Sequence, residues 1–244
     1  MGKDESSGLE GHPVVSHEEW VAARTALLAK EKELTHLREQ LARQRRALPW
    51  ERVTKRYVFD ASGGTQRSLE DLFAGRSQLV VYHFMFSPEW EAGCKHCSFW
   101  ADNFTGIQPH LKARDVAFTA ISRAPIGKIE AFARRMGWSF PWVSSGRTDF
   151  NYDYQASFTP EARARGPVLY NYEEVPGEFA DREGISVFYE DASGAVFHTY
   201  STYARGIDPV NAAYQFLDLV PKGRDEDRLQ FTQEWVRYHD AYGD

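Results

Sequence analysis

No apolar run in this chain of 244 residues approaches the ~20 residues that a helical membrane span requires, so no membrane partner is expected. The opening stretch, MGKDESSGLEGHPVVS, lacks the apolar core of a secretory signal, and its acidic residues suit myristoylation poorly. A cytoplasmic location is the expectation. Positive charge is not in excess either: 29 Lys and Arg stand against 35 Asp and Glu, a net charge of -6. The one basic cluster, Arg43-Gln-Arg-Arg46, fits a solvated helix end, so no nucleic-acid partner is expected. Internal repeats and low-complexity segments are absent, and no motif demands a cofactor. Cysteine is the scarcest residue type, with only 2 copies. In a cytoplasm a structural disulfide would be kept reduced, so such a pair suits catalysis or metal binding better than stapling.

Hydrophobic residues make up 42% of the chain and charged residues 26%, with an unusual aromatic share of 14%, which is enough to bury a real core. Residues 1–15 form a polar, glycine-containing lead-in. A helical arm follows over residues 16–49, with Ser16 and Glu19 placed as a capping box and Pro49 as the stop. Trp20, Leu27, Leu34, Leu41 and Leu48 recur every seven residues, joined by Ala23 and Leu37. So thin a seam on so long a helix fits an arm packed along its own domain or a homodimer joined through the arm.

The main domain is expected over residues 50–220, with an aromatic-rich insertion at 144–183 and a charged C-terminal tail at 221–244. Residues 51–60 have strand character, and residues 68–75 form a short helix ended by Gly75. The continuous apolar run at 78–86 suits a strand buried on both faces. A helix opens at or just before Cys94. Residues 115–121 are a second buried strand, 126–136 a helix ended by Gly137, and 138–143 a further extended segment. A hairpin spans 184–200 with its turn at 191–194, and 209–219 is a final helix. The implied fold class is α/β, a mixed sheet with flanking helices and a long N-terminal helix.

Both cysteines lie in Gly93-Cys94-Lys95-His96-Cys97, three positions apart, after the buried strand and at a helix start. Unpaired N–H groups at such a start favour a thiolate, which makes Cys94 the candidate nucleophile. Cys97, one turn on, is the candidate resolving thiol, and Lys95 and His96 are candidates for tuning the Cys94 pKa. The substrate would be a thiol or disulfide, protein or small molecule. The competing reading is a copper or zinc site built from Cys94, Cys97 and a histidine, with His198 the leading choice. A third is a dimerising binding module with incidental thiols. Trp90 and Trp100 flank the motif as candidate pocket walls, and Tyr152 and Tyr154 of the insertion are candidates for a lid. Glu91 is a candidate proton acceptor for Cys97. His83, inside an apolar run, suits a hydrogen-bonded core histidine.

Several blocks carry a resemblance: Tyr82-His-Phe-Met-Phe86, the motif continued through Ser98-Phe-Trp-Ala-Asp-Asn103, Ser122-Arg-Ala-Pro125, Gly137-Trp-Ser-Phe-Pro-Trp142 and Asp149-Phe-Asn-Tyr152. In these, and over roughly residues 16–240, the chain resembles the bacterial thioredoxin-like proteins catalogued as domain of unknown function 899. The resemblance implies a thioredoxin fold with an N-terminal helix and leaves the reaction open. Thioredoxin places a proline before the strand that faces its cysteines. Here the segment is Glu183-Gly-Ile-Ser, so Ile185 is the residue expected nearest the thiols, and a narrower substrate than general protein disulfides follows. Peroxiredoxins carry Thr or Ser three residues before their reactive cysteine, where this chain has Glu91.

Overall fold

The computed structural model describes residues 11–243, so most of the lead-in over residues 1–15 lies outside the described residues. The chain divides into two compact units, the first ending at Leu48 and the second beginning at Pro49. In the first unit, α1 runs over His17–Arg46. The Ser16 hydroxyl accepts the Glu19 N–H, and the Glu19 carboxylate accepts the Ser16 N–H. The first turn is acidic and the last basic, both favourable to the helix dipole. No residue of α1 is buried.

The second unit starts with β1 (Glu51–Arg52) and β2 (Val58–Ala61), then β3 (Thr65–Ser68) and α2 (Leu69–Leu72). The single strand expected over 51–60 is therefore two. β1 pairs with the last strand at one edge of the sheet, while β2 pairs near the other edge, and the residues between them cross over. Next come β4 (Gln78–His83), α3 (Lys95–Ala101), α4 (Gln108–Lys112), β5 (Val116–Ser122), α5 (Ile126–Arg135) and β6 (Trp142–Ser144). The insertion, which shows no periodicity in sequence, holds α6 (Phe150–Asp153), α7 (Pro160–Arg165) and a small ribbon of β7 (Val168–Tyr170) and β8 (Glu173–Val175). The hairpin is β9 (Gly184–Glu190) and β10 (Val196–Tyr203). The helix expected over 209–219 is shorter: a 3-10 segment at Ala204–Val210 contains Pro209, and Asn211 then caps α8 (Ala212–Leu217). Among the described residues no helix is long and apolar enough to cross a membrane.

One eight-stranded sheet results, in the order β1-β10-β9-β4-β5-β6-β2-β3. β4, β5 and β6 are parallel, whereas β9 runs antiparallel beside β4 and β10 antiparallel beside β9. β4 is central, and alternation along it feeds two cores. Leu79, Val81 and His83 face one side with Phe59, Phe150 and Phe188. Tyr82 and Phe84 face the other with Phe99, Trp100, Phe118, Phe132 and Trp142. A continuous apolar run is what a strand buried on both faces requires. Helix α5 places Ile129 and Phe132 in the second of these cores, and Gly137 ends it with a φ of 64° that a residue bearing Cβ adopts only with strain.

Candidate functional site

The chain after β4 is pinned before it reaches the cysteines. Phe84 N–H donates to Ile121 O at 2.9 Å, Ala124 N–H to Phe86 O at 2.8 Å, and Cys94 N–H to Met85 O at 2.9 Å. The Ser122 hydroxyl adds a bond to Phe84 O at 2.7 Å. Gly93 sits flush on this loop: a Cβ there would stand 2.6 Å from Phe84 Cε1 and 2.8 Å from Phe132 Cε1. Only glycine fits so close an approach. Its carbonyl accepts the Tyr238 hydroxyl at 2.7 Å, which ties the C-terminal segment to the start of the motif.

Cys94 is the N-cap residue of α3, and Cys97 lies in its first turn. Both are free thiols; Cys94 is partly exposed and Cys97 is buried. Their environments pull in opposite directions. The neighbouring Cys97 thiol stabilises a Cys94 anion by hydrogen bonding and outweighs burial; the backbone N–H groups of Cys97 and His96 add to it, so the Cys94 pKa falls below that of an ordinary thiol. Burial pushes Cys97 well above it, and its hydrogen bond to Cys94 adds to that rise. The Glu183 carboxylate raises both. The Cys97 sulfur accepts a bond from Met85 N–H at 3.4 Å.

The tuning expected of the intervening side chains takes a different form. Burial and the Lys95 charge lower the pKa of His96, so at neutral pH it offers a backbone N–H more than an imidazolium charge. Glu91 points to solvent, 91% exposed, and pairs with Lys128 at 3.1 Å. That position does not suit a proton acceptor for Cys97.

The other candidates are distributed unevenly. Trp100 is buried, donates from Nε1 to Ile207 O at 3.0 Å, and lines a cavity of about 550 Å³ together with both cysteines and His96. Ile185 is buried in the same apolar cluster as Cys97. Trp90 is 38% exposed and is not among the residues lining this cavity. Tyr154 belongs to the opposite face of the sheet, packed on Phe150 and Phe188. Tyr152 accepts a bond from Arg123 at 3.1 Å and helps fix the insertion instead of the cavity. His198 is also on the opposite face, against Tyr154 and Phe188, with Nε2 bonded to Ser201 at 2.7 Å. Among the described residues no three of His, Cys, Asp and Glu gather in a metal-holding arrangement.

Of the walls that close the cavity, the sequence pointed only to the segment that begins at Glu183. Those walls are Phe179, Arg182 and Glu183 from the end of the insertion, Arg205 and Asp208 after β10, and Phe231 to Gln233 from the tail. The insertion is anchored by Arg123 at the end of β5, whose guanidinium grips Asp181 at 2.7 and 2.9 Å. Asp181 also accepts the Ser157 hydroxyl at 2.6 Å. The tail is anchored beyond Tyr238: His239 bonds Asp102 at 2.7 Å, and Arg135 holds Asp240 at 2.8 and 3.0 Å. The aromatic run Trp235-Val-Arg-Tyr238 was the available signal, since Val236 is fully buried and Trp235 packs edge-on against Phe99.

A parallel β-α-β unit, an antiparallel hairpin laid beside its first strand, and a cysteine pair opening the helix after that strand together define a thioredoxin-like fold. The chain belongs to the family described as "Bacterial protein of unknown function (DUF899)", whose model matches residues 9–242. No curated protein matches it. Among solved structures it is similar to the bacterioferritin comigratory protein of Xanthomonas campestris, described for its alkyl peroxide reduction activity. That match has 15% identity and a TM-score of 0.44, over 64% of this chain and 86% of that one. Peroxidoxin BcpB from Mycobacterium tuberculosis matches at 14% identity and a TM-score of 0.43, over 68% and 94% of the two chains. Neither is close enough to lend this chain an activity.

Proposed function

We propose that the protein is a thiol-disulfide oxidoreductase in which Cys94 is the nucleophile and Cys97 the resolving thiol. One observation carries this reading: two free thiols one helical turn apart have unequal surroundings, the accessible Cys94 at the helix start with its pKa lowered and the buried Cys97 with its pKa raised. Thiolate is the attacking species, and a protonated neighbour is what must wait until a mixed disulfide has formed. A stabilised thiolate also favours the reduced form, so the corresponding disulfide is an oxidising one. Thiolate absorbance near 240 nm (roughly the usual thiolate band) followed against pH tests the premise. The expected result is one titration below the ordinary thiol value of about 8.5 that is lost in Cys94→Ser. A Cys94 that titrates at or above that value contradicts it.

The helical arm supports a second, independent proposal: two copies pair through α1. Trp20, Leu27, Leu34, Leu37 and Leu41 are 41 to 56% exposed along one seam. In a parallel, in-register pair the flanking positions set Glu19 against Arg24 and Glu33 against Arg38 of the partner subunit, while Lys30, in the seam between Ala23 and Leu37, meets its own copy. The mass in solution should be twice the 28.0 kDa of one chain. Leu27→Glu combined with Leu34→Glu should return it to one chain; a parent protein that is already monomeric excludes the pairing.

A further inference from the structure

We infer that the cavity over Cys94 takes a small zwitterionic disulfide, one carrying both carboxylate and ammonium groups, and not the exposed disulfide of a folded protein. The inference rests on the oxidoreductase reading and adds a substrate class to it.

Two features of the walls lead there. The first is enclosure. Segments from three separate parts of the chain rise around the sulfurs, and the space they leave, about 550 Å³, falls in the range of small-molecule pockets. A folded partner would need a far broader contact, on the order of 800 Å² per side, for a stable complex. The second is the charge left unpaired. Arg205 and Asp208 neutralise each other at 3.3 Å, and Asp208 also holds Arg224 at 3.2 Å. Arg182 and Glu183, side by side in the wall, have no such partner. The Arg182 guanidinium lies over the Phe179 ring at 4.3 Å and the Tyr170 ring at 5.4 Å, and makes no ion pair among the described residues. Glu183 accepts only the Tyr170 hydroxyl, at 3.3 Å, through its carboxylate. Ring faces hold a guanidinium in place while leaving its N–H edge free to grip a carboxylate. A cation and an anion lining the same cavity as the two thiols match the two charges of an amino-acid or short-peptide disulfide.

The chemistry balances without a further reactant. The Cys94 thiolate attacks one sulfur of the ligand, the ligand S–S bond breaks, and the departing thiolate takes a proton from water. Cys97 gives up its proton and attacks the Cys94 sulfur, which breaks the mixed disulfide and releases the second thiol. Two electrons pass from the protein to the ligand, and the protein is left with a Cys94–Cys97 disulfide.

The test uses the full reduced chain in single turnover with three symmetrical disulfides: L-cystine, cystamine, which has no carboxylate, and 3,3′-dithiodipropionate, which has no ammonium. Each rate is divided by that disulfide's rate with dithiothreitol. Cystine should lead both others by about tenfold or more, the worth of one charge-assisted bond. Arg182→Gln should bring the cystine-to-cystamine ratio within about twofold, and Arg182→Lys should restore much of it. Equal normalised rates for the three, or an Arg182→Gln effect of the same size on all three, overturn the zwitterion assignment and leave the redox reading standing. If none of the three oxidises the cysteine pair even in large excess, where mass action draws an oxidising pair forward, both fall.

Discussion

Cys94→Ser reduces disulfide exchange to the rate seen without protein, and Cys97→Ser leaves the first step intact but stalls the second. The two variants are expected to differ because the two sulfurs differ. Cys94 is partly open to the cavity and holds a stabilised anion, so its loss removes the attacking species; a serine hydroxyl does not ionise near neutral pH and cannot substitute. The loss should reach at least roughly a hundredfold. Cys97 is buried and proton-bearing, and its role begins only after Cys94 is bonded to a substrate sulfur. In Cys97→Ser a mixed disulfide should therefore accumulate, visible as a mass increment on the intact chain that dithiothreitol removes. Exchange that survives in Cys94→Ser, or a Cys97→Ser protein that never carries the adduct, is incompatible with the assigned roles.

The sequence made the scaffold legible where one physical constraint dominates. A strand buried on both faces must be apolar throughout, so β4 and β5 stood out, and Ser16 with Glu19 marked the start of α1. The placement of the cysteines at a helix start followed from the same reading. Legibility failed where tertiary contacts decide. β1 and β2 look like one strand because nothing local reports that residues 51–52 and 58–61 pair at distant places in the sheet. The insertion looks structureless because its ordering comes from single long-range ties, above all Arg123 to Asp181, and not from a period of apolar residues. Tyr154 and His198 were placed near the thiols by their chemistry, yet strand alternation sends His198 to the other face, and Tyr154, which follows the short helix α6, packs there with it. Apart from the segment that begins at Glu183, the walls of the cavity were invisible for a related reason. Arg182 and the residues around Phe231 are far apart in sequence from Cys94 and become neighbours only through the anchors of the insertion and the tail.

The opposite face holds the group with the largest expected effect on stability. His83 is fully buried, stacked on Phe150, and its Nε2 bonds the Ser186 hydroxyl at 2.9 Å. Ser186 passes the chain to Ser201 at 2.8 Å, and Ser201 to His198 at 2.7 Å. Nδ1 of His83 has no partner among the described residues. Burial, helped by the nearby His198, lowers the His83 pKa from 6.5 to about 3. Above pH 6.5 the imidazole is neutral in both folded and unfolded chains and costs nothing. Between pH 6.5 and about 3 the unfolded chain binds a proton that the folded one refuses, so stability falls steadily with pH across that window. At ~1.36 kcal/mol per pH unit the loss from pH 7 to pH 4 is about 3 kcal/mol from this residue. Glu51, 3.8 Å from His198, faces solvent and is too exposed to offset a charge at His83. Urea midpoints measured at both pH values should show this loss in the parent protein and a clearly smaller one in His83→Gln, which keeps a donor for Ser186 without a titrating ring. Equal losses in the two proteins would mean that His83 is protonated in the fold, and that the serine chain beside it accommodates the charge.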